Sequence, residues 1–226
     1  MYNSVAIFGL TGDPFTIAHR DICRLTMDVL AIDKLYMIPT IVSYHREEKM
    51  RWLTDEQRVE CAKYMLWTLG TEYLGRWEID SFEIDLKRLC YETGDPELTK
   101  EMIKARRFIH TILDFRSRIG LKKKITLVLG QDEVENLPNW YRWQDVCANI
   151  SSLLCFGRKG CYSIPEEVKD RCEVNRPLAL DNDKIENCSA SFVRNYFKNK
   201  TLEDYLEAIK ELDTGKTNLN TVPWII

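Results

Sequence analysis

The stretch Val5-Ala6-Ile7-Phe8-Gly9-Leu10-Thr11-Gly12-Asp13-Pro14-Phe15-Thr16-Ile17-Ala18-His19 decides how the rest of the chain is read. Val5–Phe8 is a short apolar run that halts at Gly9, and Gly12-Asp13-Pro14 is a tight-turn signal. Beyond it Ile22, Leu25 and Val29 recur at helical spacing. Leu35-Tyr36-Met37-Ile38 follows as a second apolar strand, ended by Pro39. Strand, helix and strand fit between Val5 and Pro39, which suits a parallel pair joined by a right-handed crossover.

The same alternation continues outward. Thr54-Asp55-Glu56-Gln57 has the form of a capping box and opens a helix with Val59, Ala62, Met65 and Leu66 on one side. Trp77–Ile84 reads as extended, and Leu98–Ile119 as a long, highly charged helix. Ile125–Leu129 is a strand ending at Gly130, and Ser152–Phe156 another ending at Gly157-Arg158. Leu178–Leu180 reads as a short sixth strand; Ser191–Phe197 and Leu202–Leu212 read as helices. The pattern predicts one α/β domain over residues 1–226, a doubly wound, Rossmann-like fold around a parallel sheet. A charged, partly helical insertion over 85–123 and a small C-terminal helical part over 189–226 complete it.

At 226 residues, with 45% apolar and 30% charged, the chain has the make-up of an ordinary soluble domain. Its 32 basic and 35 acidic residues leave a net charge of −3, which argues against a general nucleic-acid coat protein but permits a local basic pocket. Apolar runs such as Ile125–Leu129 are too short to span a bilayer. MYNSVAIFGL lacks the basic start and long apolar run of a signal peptide, and no lipidation motif is seen. A cytoplasmic protein without membrane or nucleic-acid partners is expected. No two of the eight cysteines are three apart, so there is no CxxC knuckle, and buried thiols in a reducing compartment are expected. Three histidines, His19, His45 and His110, are a poor supply for a histidine-built metal site.

In a doubly wound sheet, ligands sit beyond the carboxyl ends of the strands at a topological switch point. The loops after Phe8, Ile38, Leu129 and Phe156 should therefore face one cleft. They hold Gly9–His19, Thr40–Arg46, Gly130–Asp132 and Gly157–Gly160, almost every unusual residue of the chain. The first loop is neither GxxxxGK(S/T) nor GxGxxG. Its glycines let backbone N–H groups turn toward a phosphate, and the helix start after it is an anion site. Thr16 and His19, three apart, can face the same ligand there. From the residues alone, a plain strand-to-helix turn with a packed histidine is the other reading.

The loop resembles the nucleotidyltransferase signature, a strand and then G-G-S-F-D-P-x-(H/T)-x-G-H. Cys188-Ser189-Ala190-Ser191-Phe192-Val193-Arg194 resembles that superfamily's second signature, I-S-S-T-x-I-R. Gly130-Gln131-Asp132 with Trp140-Tyr141-Arg142-Trp143 resembles the G-x-D and W-x-x-W stretch of the nicotinamide or nicotinate mononucleotide adenylyltransferases. Arg158-Lys159-Gly160 resembles their R-P-G, and Arg58 and Glu83 fall where that family keeps an Arg and a Glu. The resemblance covers roughly 1–84 and 124–200. Leu10, Gly12 and Ala18 depart from the first signature, Ala190 and Ser191 from the second, and S-Y-T-x-D-T-L has only an echo around Phe108–Ile112.

The resemblance implies roles residue by residue. His19 and Thr16 would contact the ATP phosphates, with charge stabilised at the α-phosphate; Arg194 would hold the β/γ-phosphates, with Ser189 and Ser191 beside it. Gly9, Leu10, Thr11, Gly130 and Arg158 complete the ATP set, and Asp132 would lie near a ribose. Trp140 would stack on the pyridine ring, Tyr141 would follow it, and Thr11, His45 and Arg46 would serve the mononucleotide. The implied activity joins ATP to nicotinamide or nicotinate mononucleotide with release of pyrophosphate, using Mg²⁺ carried mostly by the substrate. Two other readings are a sister transferase acting on a phosphopantetheine or cytidyl substrate, and a nucleotide-binding regulatory protein without turnover. Trp143 and His110 are expected to be structural, Lys122–Lys124 a solvated turn, and the Leu98–Ile119 helix is a candidate surface for a homo-oligomer.

Overall fold

The computed structural model describes residues 3–30, 32–40, 52–94, 107–157, 163–175, 178–179 and 190–216. In chain order these form β1 (Ser4–Leu10), α1 (Ile17–Val29), β2 (Lys34–Pro39), α2 (Asp55–Trp67), β3 (Trp77–Ile79), α3 (Phe82–Thr93) and α4 (Phe108–Ile119). Next come β4 (Lys124–Gly130), α5 (Gln131–Asn136), α6 (Trp143–Ala148), β5 (Ser152–Gly157), α7 (Glu166–Lys169), β6 (Glu173–Val174) and β7 (Leu178–Ala179). Two helices close the described chain, α8 (Ala190–Phe197) and α9 (Leu202–Asp213).

The strands lie in the order β3-β2-β1-β4-β5-β6, with β7 also paired to β5, and every pairing is parallel. The chain winds outward from β1 through β2 to β3, then returns to β1's other side as β4, so the switch point falls between β1 and β4. Strand side chains alternate between faces, which divides the core in two. Ala6 and Phe8 of β1 join Leu35, Met37, Val128 and Leu154 under α1, α2, α8 and α9. Val5 and Ile7 join Leu127, Leu129, Leu153 and Cys155 under α4 and α6. The doubly wound parallel sheet read from the sequence is therefore the fold. Among the described residues no helix is long and apolar enough to cross a membrane.

Local expectations need two corrections. The extended segment stops at Ile79, because the Asp80 carboxylate accepts from the Phe82 N–H at 3.1 Å and starts α3; Glu83 is helical, not extended. The charged helix begins at Phe108, since Arg107 is extended (φ −133°, ψ 160°) and its N–H donates to His110 Nδ1 at 3.0 Å; its expected beginning from Leu98 lies outside the described residues. The short strand expected at Leu178–Leu180 is present as β7 (Leu178–Ala179) beside β5, with Leu180 outside the described residues. The sequence reading does not include β6 (Glu173–Val174), which also pairs with β5; Asn175 after it donates to the Leu153 carbonyl from its backbone at 2.8 Å.

Candidate active site

The first loop leaves β1 at the switch point and is held from below by one side chain. Arg58 on α2 is fully buried and donates to the carbonyls of Thr11 and, at 3.0 Å, Thr40, just past the ends of β1 and β2. Its other nitrogen meets Asp55 Oδ1 at 2.6 Å, and Asp55 also pairs with Lys87 of α3. The Arg58 Nε has no hydrogen-bond partner among the described residues. Gly12 turns the loop at φ +58°, a left-handed conformation that other residues adopt only with strain.

Asp13 is the loop's second anchor. Its buried carboxylate accepts from the N–H groups of Leu53 at 2.9 Å and Trp52 at 3.2 Å, which stitches the loop to the approach to α2. Its carbonyl accepts from Arg194 of α8, whose other guanidinium nitrogen donates to Ser191 Oγ at 2.9 Å. Two signatures at opposite ends of the chain thus meet through a side chain and a backbone oxygen.

Thr16 is the extended N-cap of α1 and is fully buried. Its N–H donates to His19 Nδ1 at 3.0 Å, and its hydroxyl oxygen lies 3.1 Å from the same nitrogen. The rings of Phe15 and Phe8 flank the imidazole, with centroids 5.3 and 6.1 Å away. Burial lowers the His19 pKa to about 4, so the ring is neutral at pH 7. With Nδ1 accepting from a backbone N–H, the proton of the neutral ring sits on Nε2 and makes that atom a donor.

On the other side of the switch point, β4 ends at Gly130 and α5 begins. A Cβ on Gly130 would lie 2.8 Å from Asp132 Oδ1, so glycine makes room for an exposed carboxylate. Half-buried Trp140 meets Phe108 edge-on, with centroids 5.2 Å apart at 65°. Tyr141 is exposed, its ring 6.5 Å from His110. Trp143 packs against the α4–α6 core with the Arg171 guanidinium 5.7 Å from its ring centre, the structural role expected of it.

Gly9, Leu10, Thr11, Thr16, His19, Ser191 and Arg194 therefore cluster around the first loop, while Gly130, Asp132, Trp140 and Tyr141 belong to the β4 side. His45, Arg46, Arg158 and Ser189 lie outside the described residues. Glu83 is buried and accepts from the Thr111 hydroxyl, which ties α3 to α4. Sequence reasoning missed two contributors. Asp13 was legible only as a turn residue, and Phe108 was hidden in a segment dominated by charge, although Ile109, Ile112 and Phe115 carry a helical apolar spacing. Beside Asp55, a cavity of about 650 Å³ opens between α2 and α3, lined in part by Trp52, Lys87 and Tyr91.

The cytidylyltransferase-like family model matches residues 7–196. A protein of Aliarcobacter butzleri described as probable nicotinate-nucleotide adenylyltransferase is 28% identical over 215 residues, 95% of this chain and 99% of the relative. One of Fusobacterium nucleatum with the same description is 23% identical over 87% of this chain and 88% of its own. The solved nicotinic acid mononucleotide adenylyltransferase of Plasmodium falciparum, complexed with NaAD, has a TM-score of 0.63 at 13% identity, covering 89% of this chain and 88% of that one. That last likeness is one of fold.

Proposed function

From the premise that this chain belongs to the cytidylyltransferase-like family and is a nucleotidyltransferase, we propose that it is a cytoplasmic nicotinate mononucleotide adenylyltransferase. The reading is carried by one observation: the Thr16–His19 pair and the Ser191–Arg194 pair are brought onto the same loop at the switch point of the sheet. The descriptions of these relatives favour nicotinate over nicotinamide as the pyridine substrate.

A mononucleotide phosphate oxygen attacks the α-phosphorus of ATP, the α–β bridging P–O bond breaks, and pyrophosphate leaves. The substrate phosphate is itself the nucleophile, so the protein's task is positioning and charge stabilisation. His19 Nε2–H donates to the transferring phosphate at the positive end of α1. Arg194 exchanges the Asp13 carbonyl for β- and γ-phosphate oxygens, with Ser191 and Ser189 beside it. Gly9, Leu10, Thr11 and Gly130 let backbone approach ATP, Asp132 addresses a ribose, and Arg158 adds positive charge. Trp140 and Tyr141 receive the pyridine ring; Thr11, His45 and Arg46 receive the mononucleotide phosphate. Mg²⁺, brought in as MgATP, would be held by the substrate rather than by a protein cage and would offset the negative charge of its phosphates.

The test is a coupled pyrophosphate-release assay with MgATP and, separately, nicotinate mononucleotide, nicotinamide mononucleotide and phosphopantetheine. Turnover should require a pyridine mononucleotide and be faster with the acid. Faster turnover with phosphopantetheine, or none with any acceptor, would sink the assignment.

A further inference from the structure

We propose that Tyr205, on the C-terminal helix α9, is a positioning residue that sets the tautomer and orientation of His19 through a single peptide unit. The inference rests on the reading that His19 donates to the transferring phosphate. The Tyr205 side chain is fully buried, and its hydroxyl donates to the Phe15 carbonyl at 3.0 Å. The N–H on the other side of that same peptide, that of Thr16, donates to His19 Nδ1 at 3.0 Å.

A peptide unit is planar, with C=O and N–H pointing in opposite directions. A donor on its oxygen and an acceptor on its N–H therefore form one chain: Tyr205 O–H to Phe15 C=O, then Thr16 N–H to His19 Nδ1. Each bond in such a chain polarises the next. Because Thr16 is the N-cap of α1, its N–H has no partner within the helix and is available to the imidazole. The Cys61 thiol donates to the same Phe15 carbonyl at 3.5 Å, a longer and weaker contribution.

The tyrosine is itself held in place. Its ring meets Phe197 and Trp52 edge-on at 5.2 and 5.9 Å, and α9 is tied to α1 by Arg20–Asp213 at 2.8 Å. Residue 205 lies beyond the segment that matches the family model, so this support belongs to the C-terminal helix rather than to either signature.

The experiment is Tyr205→Phe in the full chain, which keeps the ring and removes the hydroxyl. In ¹⁵N-histidine-labelled protein, wild-type His19 should give the signals of an Nε2–H ring that stays neutral well below pH 6. In Tyr205→Phe the Nε2–H form should lose population and the midpoint of ring protonation should move. With MgATP and nicotinate mononucleotide, kcat should fall about three- to tenfold, the rate equivalent of one neutral hydrogen bond, with both KM values within about twofold. Unchanged His19 signals in a folded variant would overturn the proposal, even if activity or melting temperature fell, because the hydroxyl would then be purely structural. Altered His19 signals in a protein that never turns over nicotinate mononucleotide would refute the assigned substrate and leave the Tyr205 relay standing. Cys61→Ala, which removes only the weaker donor, should move the His19 signals less than Tyr205→Phe; a larger shift would also overturn the proposal.

Discussion

Phe108 fills the space that any side chain at residue 9 would need: a Cβ built on Gly9 comes within 2.7 Å of its ring. Because the same ring abuts Trp140, strain at the end of β1 is passed to the proposed pyridine site. Gly9→Ala should cost about 1–3 kcal/mol of stability, as overpacking does. Its KM for the mononucleotide should rise. Denaturant melts and steady-state kinetics check both; an unshifted mononucleotide KM would mean that the Phe108–Trp140 contact is not part of the binding surface.

His19 links protonation to stability. Folded His19 stays neutral down to about pH 4, whereas an unfolded imidazole takes up its proton near 6.5. Between those values the unfolded chain binds more protons, so this residue's contribution is fully present above pH 6.5 and is lost as pH falls toward 4. The slope approaches about 1.4 kcal/mol per pH unit where the difference is one proton. Urea melts at pH 7 and 4.5 should show wild type losing more stability than His19→Gln. Equal losses would mean that the ring is not held neutral.

The same residue should matter more for rate than for binding. His19→Ala removes a donor whose contact strengthens as charge builds on the transferring phosphate, so kcat should drop about 10²–10³-fold. ATP affinity, read by calorimetry, should weaken far less. Near-native turnover would make His19 a packing residue.

Arg194 tests the triphosphate end. Arg194→Lys keeps the charge but loses the fork that reaches the Asp13 carbonyl and Ser191 together. KM for ATP should rise clearly, and KM for the mononucleotide should hardly move. Equal effects on both substrates would contradict this division of the cleft.

The two tryptophans should separate cleanly. Loss of a stacking partner worth on the order of 1–2 kcal/mol should raise the mononucleotide KM of Trp140→Ala about 5–30-fold. Trp143→Ala should instead lower the melting temperature, since its ring packs against the α4–α6 core beneath Arg171. Exchanged phenotypes would show that the W-x-x-W register is misassigned.

What was legible in the chain follows from the range of the forces involved. Alternating apolar runs at β1, β2, β4 and β5 announced the sheet, because each buried strand must be apolar on both faces. Thr16, His19 and Arg194 were legible because their spacing belongs to short motifs. Asp13 was not, because its partners Trp52 and Leu53 lie some forty residues away and nothing local marks a carboxylate that accepts backbone N–H groups. The end of β3 was misjudged for the opposite reason: Asp80 capping Phe82 is a local signal, overridden by the apolar look of the segment. Tyr205 was invisible as a functional residue, since its hydroxyl reaches His19 through a peptide carbonyl at Phe15 and no short motif marks that path.

Among the described residues, the sheet is finished on both sides by short strands. One border is the three-residue strand Trp77–Ile79, and the other is formed by Glu173–Val174 and Leu178–Ala179. A border of two or three residues offers too few N–H and C=O groups in register for another chain to dock as an extra strand. These described edges therefore disfavour growth of the sheet by edge-to-edge pairing with another chain.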